Sequence, residues 1–172
     1  MKMESLKDLY MEQLRDLFDA ETQLIAALPK MAEAAHSADL KNAFNQHLRQ
    51  TREHVTRLER LFSALGERPE GQTCQGMKGL IKEGEEMIKA KGEPEVIDAG
   101  LIAAAQRVEH YEIAGYGTVR TYAEILGADQ ALRLLEKTLQ EEEETDDKLT
   151  ELAESHVNVE ALEAEAVGHR RS

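Results

Sequence analysis

Apolar residues return every three or four positions through four long stretches of this chain, and so persistent a helical period leaves few alternatives to long helices packed lengthwise. The first stretch runs from Ser5 to Ala35 with Leu6, Leu9, Leu14, Leu17, Leu24, Leu28 and Met31 on one stripe. Ser5 suits an N-cap, with Asp8 in the first turn. Pro29 lies inside the pattern, and because the stripe continues past it the expectation is a kink rather than an end. The second stretch, Asp39 to Leu65, carries Phe44, Leu48, Thr51, Val55, Leu58, Leu61 and Leu65. Ser37 or Asp39 can cap it, and Gly66 suits the position just past its end.

From Glu67 to Glu93 the character changes. Gly, Pro, Gln and Thr come first, and Met77, Leu80, Ile81, Met87 and Ile88 then mark a short amphipathic helix. A connection this long is no hairpin turn. It can cross the length of a bundle, as the connection between the second and third helices does in ferritin-like folds. The third long helix is predicted from Pro94 to Leu126, ended by Gly127, and the fourth from Asp129 to about Val157. The sequence therefore predicts an all-α chain: a ferritin-like four-helix bundle with a long crossover carrying a short extra helix. One domain over residues 1–160 is expected, followed by a polar C-terminal tail, 161–172.

Charge narrows the partners. The 172 residues sum to a formal −13, which repels phosphate backbones and anionic lipid and attracts cations. Neither nucleic acid nor membrane is an expected partner. The basic end His169-Arg170-Arg171 is too short to reverse this and is read as a frayed tail. No apolar run reaches membrane-spanning length, and Cys74, the only cysteine, has no internal disulfide partner, so a cytoplasmic protein is expected.

Carboxylates interrupt the apolar stripes. On the first helix the inward positions read Leu14, Leu17, Glu21, Leu24. On the third they read Ala105, Glu109, Glu112, Tyr116, and on the fourth Leu135, Leu139, Glu142, Asp146, Leu149. The second helix places Gln50, Thr51 and His54 between Leu48 and Leu58, slightly rotated from the stripe centre. Burying an ionised carboxylate costs several kcal/mol unless a charge or a metal compensates it, and no inward cluster of Lys or Arg matches Glu21, Glu109, Glu112 and Glu142. At about 1.5 Å per residue, Glu21, Gln50, Glu109 and Glu142 lie roughly 18–24 Å from their helix starts, so a bundle brings them to one layer. Glu109 and Glu112 share a face, as do Glu142 and Asp146, and Gln50 and His54. Carboxylates with an occasional imidazole suit iron or manganese. A two-metal carboxylate site can handle peroxide or ferrous iron.

The segments Asp19–Leu24, His47–Thr51, Gly76–Ile81, Ala103–Gly117 and Thr145–Thr150 resemble the YciF/YciE stress-protein family of ferritin-like proteins over nearly the whole chain. The resemblance implies a homodimeric, rubrerythrin-like bundle linked to bacterial stress, without an assigned reaction or named catalytic residues. It also implies a di-iron ligand pattern of Glu on helix one, Glu-x-x-His on helix two, Glu-x-x-Glu on helix three and Glu-x-x-His on helix four. Glu21, Glu109 with Glu112, and Glu142 match. Gln50 stands where the leading Glu of helix two is expected, with Glu53 at i+3 and His54 beside it. Thr145 stands where the His of helix four is expected, with Asp146 beside it. A neutral amide is a poor bridging ligand, so one metal, two weakly held metals or a degenerate site all remain open.

The expected metal ligands are thus Glu21, Gln50, His54, Glu109, Glu112, Glu142 and Asp146, holding iron or manganese. His47 and His110 are read as ordinary helix residues, the tyrosines as core or ligand-supporting groups, and Cys74 as packing. The competing function is a non-enzymatic dimeric stress protein whose carboxylate layer is vestigial. A storage cage is less favoured, because nothing after Val159 marks a cage-forming fifth helix.

Overall fold

The computed structural model describes residues 3–71 and 73–168. The long elements are α1 (Leu6–Ala34), α2 (Ala38–Leu65), α4 (Pro94–Ile125) and α5 (Asp129–Leu152), and the crossover carries α3 (Gln75–Ile88). A π-helical turn, Ala153–Val157, leads into α6 (Asn158–Gly168). No strand occurs among the described residues.

Local chemistry sets these limits. Ser5 Oγ accepts from the Asp8 amide at 3.1 Å, and the Asp8 carboxylate accepts in return from the Ser5 hydroxyl and the Glu4 amide, a reciprocal cap. Helix α1 runs unbroken through Pro29, in line with the continuing stripe. Ser37 caps α2, whose far end closes on Gly66 at φ 68°, a backbone conformation that only glycine adopts without strain. Pro94 stands in the first turn of α4. Gly76 lies so close to Tyr111 that an added Cβ would sit 2.6 Å from the ring, so the crossover helix rests directly on α4.

The α1–α2 and α4–α5 hairpins form the bundle. Helix α1 packs on α2 and α4, α5 on α4 and α2, and α3 covers α1 and α4. The buried Asp98 of α4 ties the first hairpin down, accepting from the His36 and Ser37 amides at 2.8 and 2.6 Å. The fourth long helix was expected to run to Val157. Its last turn is instead π-helical, and residues 158–168, most of them in the expected polar tail, continue as α6, which packs on α4. His169-Arg170-Arg171 lies outside the described residues. No helix among those described is long and apolar enough to cross a membrane.

Two apolar clusters fill the interior. One holds Leu14, Leu17, Leu58, Leu61, Phe62, Val119 and Leu135. The other holds Leu24, Leu28, Leu40, Phe44, Leu101, Ile102, Val108, Leu149 and Leu152. Between them lies a layer of buried polar side chains contributed by all four long helices.

Candidate metal centre

Six ionisable side chains make up that layer: Glu21 of α1, His47 and His54 of α2, Glu109 and Glu112 of α4, and Glu142 of α5. None exceeds 2 % exposure. Their atoms fall into two groups. In one, a single atom from each of Glu21, His54 and Glu142 lies within 4.8 Å of the others; in the second, the same holds for His47, Glu109, Glu112 and Glu142. Glu142 belongs to both, so it could serve either of two cations.

These groups approach one another without bonding well. His54 Nδ1 lies 3.2 Å from Glu21 Oε1 and 3.0 Å from Glu142 Oε1, and His47 Nε2 lies 3.2 Å from Glu109 Oε1. The alignment nevertheless fails as hydrogen bonding. Eight buried atoms of these six residues have no hydrogen-bond partner: Glu21 Oε2, His47 Nε2, His54 Nδ1, Glu109 Oε2, and both oxygens of Glu112 and of Glu142. Orphaned buried polar atoms are rare because each costs about 1–3 kcal/mol, and more when charged. Eight lone-pair donors facing one small volume fit a divalent cation pair. The charge also balances, since four carboxylates neutralise two divalent ions with both imidazoles neutral.

Each imidazole is oriented from its far side. His54 Nε2 donates to Glu141 Oε2 at 2.9 Å, leaving the Nδ1 lone pair facing Glu21 and Glu142. Glu141 is itself fixed by Arg57, whose guanidinium donates to both carboxylate oxygens at 2.5 and 3.1 Å and to Thr138 Oγ1 at 3.0 Å. The Thr145 hydroxyl donates to the Glu141 carbonyl at 2.8 Å, so it can only accept, at a long 3.4 Å, from His47 Nδ1. That leaves His47 Nε2 as the free lone pair. A histidine ring held by a carboxylate or hydroxyl and turned toward an ion is the usual support of a metal ligand. Tyr116, fully buried, donates to Glu21 Oε1 at 2.5 Å and leaves Oε2 free.

Without a cation, protons compensate the layer. Burial opposes charge on His54, yet Glu21, Glu142 and the hydrogen bond to Glu141 raise its pKa to about 12. Burial likewise opposes charge on His47, but Glu109 and Glu142 raise it to about 9. Burial, with the neighbouring carboxylates Glu21, Glu142 and Glu109, lifts Glu112 well above the usual range. Burial also pushes Glu142 up to about 7, against the pull of His54. Glu141 goes the other way: although burial alone would raise it, His54 and Arg57 hold it down to about 2.

Of the residues singled out from the sequence, Glu21, His54, Glu109, Glu112 and Glu142 come together. Gln50 stands beside the layer. It is half-buried and lines a cavity beside His47 and Glu109. Asp146 turns to the opposite flank, where it accepts from Gln106 at 3.1 Å and lies 3.3 Å from the exposed His110. Four residues beyond Glu142 the helix has rotated about 40°, enough to carry that side chain out of the layer. His47, read from the sequence as an ordinary helix residue, joins the layer beside Glu109. His47 and His54 are seven apart, two turns on one face, and that spacing was the available signal. Arg57, 8 % exposed, is the inward cation that the stripe analysis did not identify, but its partner is Glu141, outside the group of six.

Comparison with known proteins agrees with this architecture. Escherichia coli (strain K12) Protein YciF is 44% identical over 162 residues, covering 94% of this chain and 98% of that protein. The crystal structure of the E. coli stress protein YciF superimposes with a TM-score of 0.87, covering 91% of this chain and 99% of that one. The structure of YcfI from Rhodopseudomonas palustris, 42% identical, gives 0.84 over 87% of this chain and 95% of its own. A Xanthomonas campestris protein only 20% identical gives 0.75 and shares the fold. The family described as Domain of unknown function (DUF892) matches residues 5–162, and the chain belongs to that family, which is the YciF kinship suggested by its third helix.

Proposed function

We propose that this chain is a stress-response protein that binds two iron or manganese ions in the interior layer and handles peroxide or ferrous iron there. The observation that carries the reading is the set of eight buried donor atoms, from six side chains on four helices, that have no hydrogen-bond partner. Glu21, His54 and Glu142 would hold one ion, and His47, Glu109, Glu112 and Glu142 the other. Both imidazoles come from α2, which makes good the missing histidine at Thr145. Bound there, redox-active ions would supply the electron transfer that peroxide reduction or ferrous-iron oxidation requires.

The chain's own residues have definite tasks in this reading. Arg57 and Glu141 hold His54 in the tautomer that offers Nδ1. Tyr116 donates to Glu21 Oε1 and so orients that carboxylate, leaving Oε2 free to bind. The two apolar clusters exclude bulk water from either side, which strengthens every charge interaction in the layer. The stress role is carried over from the E. coli relative's description, and the resemblance adds a homodimer, which sedimentation can check.

A second reading rests on the same layer. Protons on His47, His54, Glu112 and Glu142 can neutralise it without any ion, leaving a non-enzymatic stress protein with a vestigial layer. Metal analysis of protein purified without chelator separates the two. About two equivalents of iron or manganese per chain supports the first reading. A metal-free protein indifferent to added ferrous or manganous ion supports the second.

A further inference from the structure

The buried layer needs a route to solvent, and the α2–α5 groove offers one. A cavity of about 180 Å³ lies between these helices, and His47 and Glu109, both nearly inaccessible, form part of its wall. The rest of its lining is uncharged, Ala43, Phe44, Gln46, Gln50, Thr145 and Leu149, apart from the exposed Glu144 and Lys148. A second cavity of about 300 Å³ continues along the same groove and shares Ala43, Gln46 and Lys148 with the first. Its outer walls carry Asp39, Glu151, Ser155 and His156, the last two from the π-helical turn. Lys148 is thus common to both compartments. Its ammonium is drawn to Glu151 at 2.8 Å.

We propose that this groove is the path by which a divalent cation reaches the centre, with Lys148 as its gate; the proposal rests on the metal-binding reading above. Size and charge argue for it together. At about 30 Å³ per water, the inner cavity has room for a partly hydrated ion or a molecule of a few atoms. Asp39 and Glu151 at the outer end attract cations, while a lysine at the junction repels them unless its ammonium is held aside. Gln50 gains a reason in this arrangement. A carboxylate at that place would trap the ion beside the centre, whereas a neutral amide lets it pass to His47 and Glu109.

The test is the rate of metal uptake, read separately from the final amount. Chelator-stripped full-length protein is mixed with Mn²⁺, and loss of the free-ion signal is followed by electron paramagnetic resonance. Ala43→Phe, which narrows the neck, should slow uptake about tenfold with the same final stoichiometry. Lys148→Met, at an exposed position that the fold tolerates, should accelerate uptake severalfold, most clearly at low salt. Leu134→Phe, in the separate cavity at the opposite end of the bundle, should leave the rate unchanged. Normal final uptake with unaltered rates in both Ala43→Phe and Lys148→Met removes the route alone. A wild-type chain that takes up no Mn²⁺ removes the centre, and the route with it.

Discussion

Glu142 meets His54 at 3.0 Å through a ring nitrogen that forms no hydrogen bond, and its other oxygen lies 3.9 Å from His47. It is the one carboxylate common to both groups of converging atoms. Replacing it should therefore act on two ions together. Glu142→Ala should abolish uptake of both equivalents, whereas Glu21→Ala should lose one and keep the other. Titration with Mn²⁺ under equilibrium dialysis counts them. Equal stoichiometry in the two variants would argue against a shared ligand.

In the proposed centre His47 is a ligand and Gln50 stands beside it. His47→Ala should remove one equivalent and weaken what remains by about 10–100-fold, the usual loss when a metal's ligand environment is broken. Gln50→Ala and Asp146→Ala should retain both equivalents. A Gln50→Ala variant that loses metal as His47→Ala does would return Gln50 to the ligand set.

The extent to which the centre was readable follows from helix geometry. Glu21, Glu109, Glu112 and Glu142 stand in place of apolar residues on their stripes, so the pattern itself exposes them. The α2 residues are harder, because His47, Thr51 and His54 share their face with Leu48 and Leu58 and look like core edge. Asp146 misled because i+4 spacing tolerates about 40° of rotation, and only packing decides which flank a side chain takes. The pairing of Arg57 with Glu141 across 84 residues left no local trace. The bundle itself was legible through periodicity, caps and the long crossover. The helical continuation beyond Asn158 was not, since its polar sequence shows no stripe and its order comes from packing on α4.

Arg57 supports the centre without touching it. Arg57→Met removes charge-assisted hydrogen bonds to Glu141 and Thr138, and should cost about 2 kcal/mol in urea unfolding of the metal-free protein. It should also weaken metal binding, because Glu141 then holds His54 less firmly. Lys at this position should rescue part of the stability and less of the binding, for lack of a two-pronged donor. A variant as stable and as tight-binding as wild type would remove Arg57 from the support of His54.

Asp98 links the first hairpin to α4 by accepting two backbone amides at the α1–α2 turn. Asp98→Ala leaves both amides without their carboxylate partner, and about 2 kcal/mol of stability should disappear. Asp98→Asn should recover some of it, since one oxygen can still accept. Hydrogen exchange of the His36 and Ser37 amides gives a direct reading. Unchanged protection in Asp98→Ala would show that these bonds do not hold the turn.

Protons and metal compete for the same layer, and the sign of that competition can be worked out. His47 is raised from 6.5 to about 9, so its contribution to the metal-free fold is complete below about pH 6.5 and fades as pH rises through 9. Glu142 is raised from 4.5 to about 7, so the folded state prefers its protonated form and loses stability as pH climbs between those values. The native metal-free chain thus binds more protons than the unfolded one from about pH 5 to about pH 9, and its Tm should fall across that range. Metal ligation requires deprotonated donors, so Mn²⁺ uptake should release protons and tighten with pH. The gap between metal-loaded and metal-free Tm should therefore widen toward pH 9. Calorimetry of both forms measures it, with a His47→Gln, Glu142→Gln double variant as the control in which the metal-free slope becomes shallower, the remainder belonging to His54 and Glu112. A metal-free Tm that stays level from pH 5 to 9 in the wild type would mean that these two groups do not carry the excess protons.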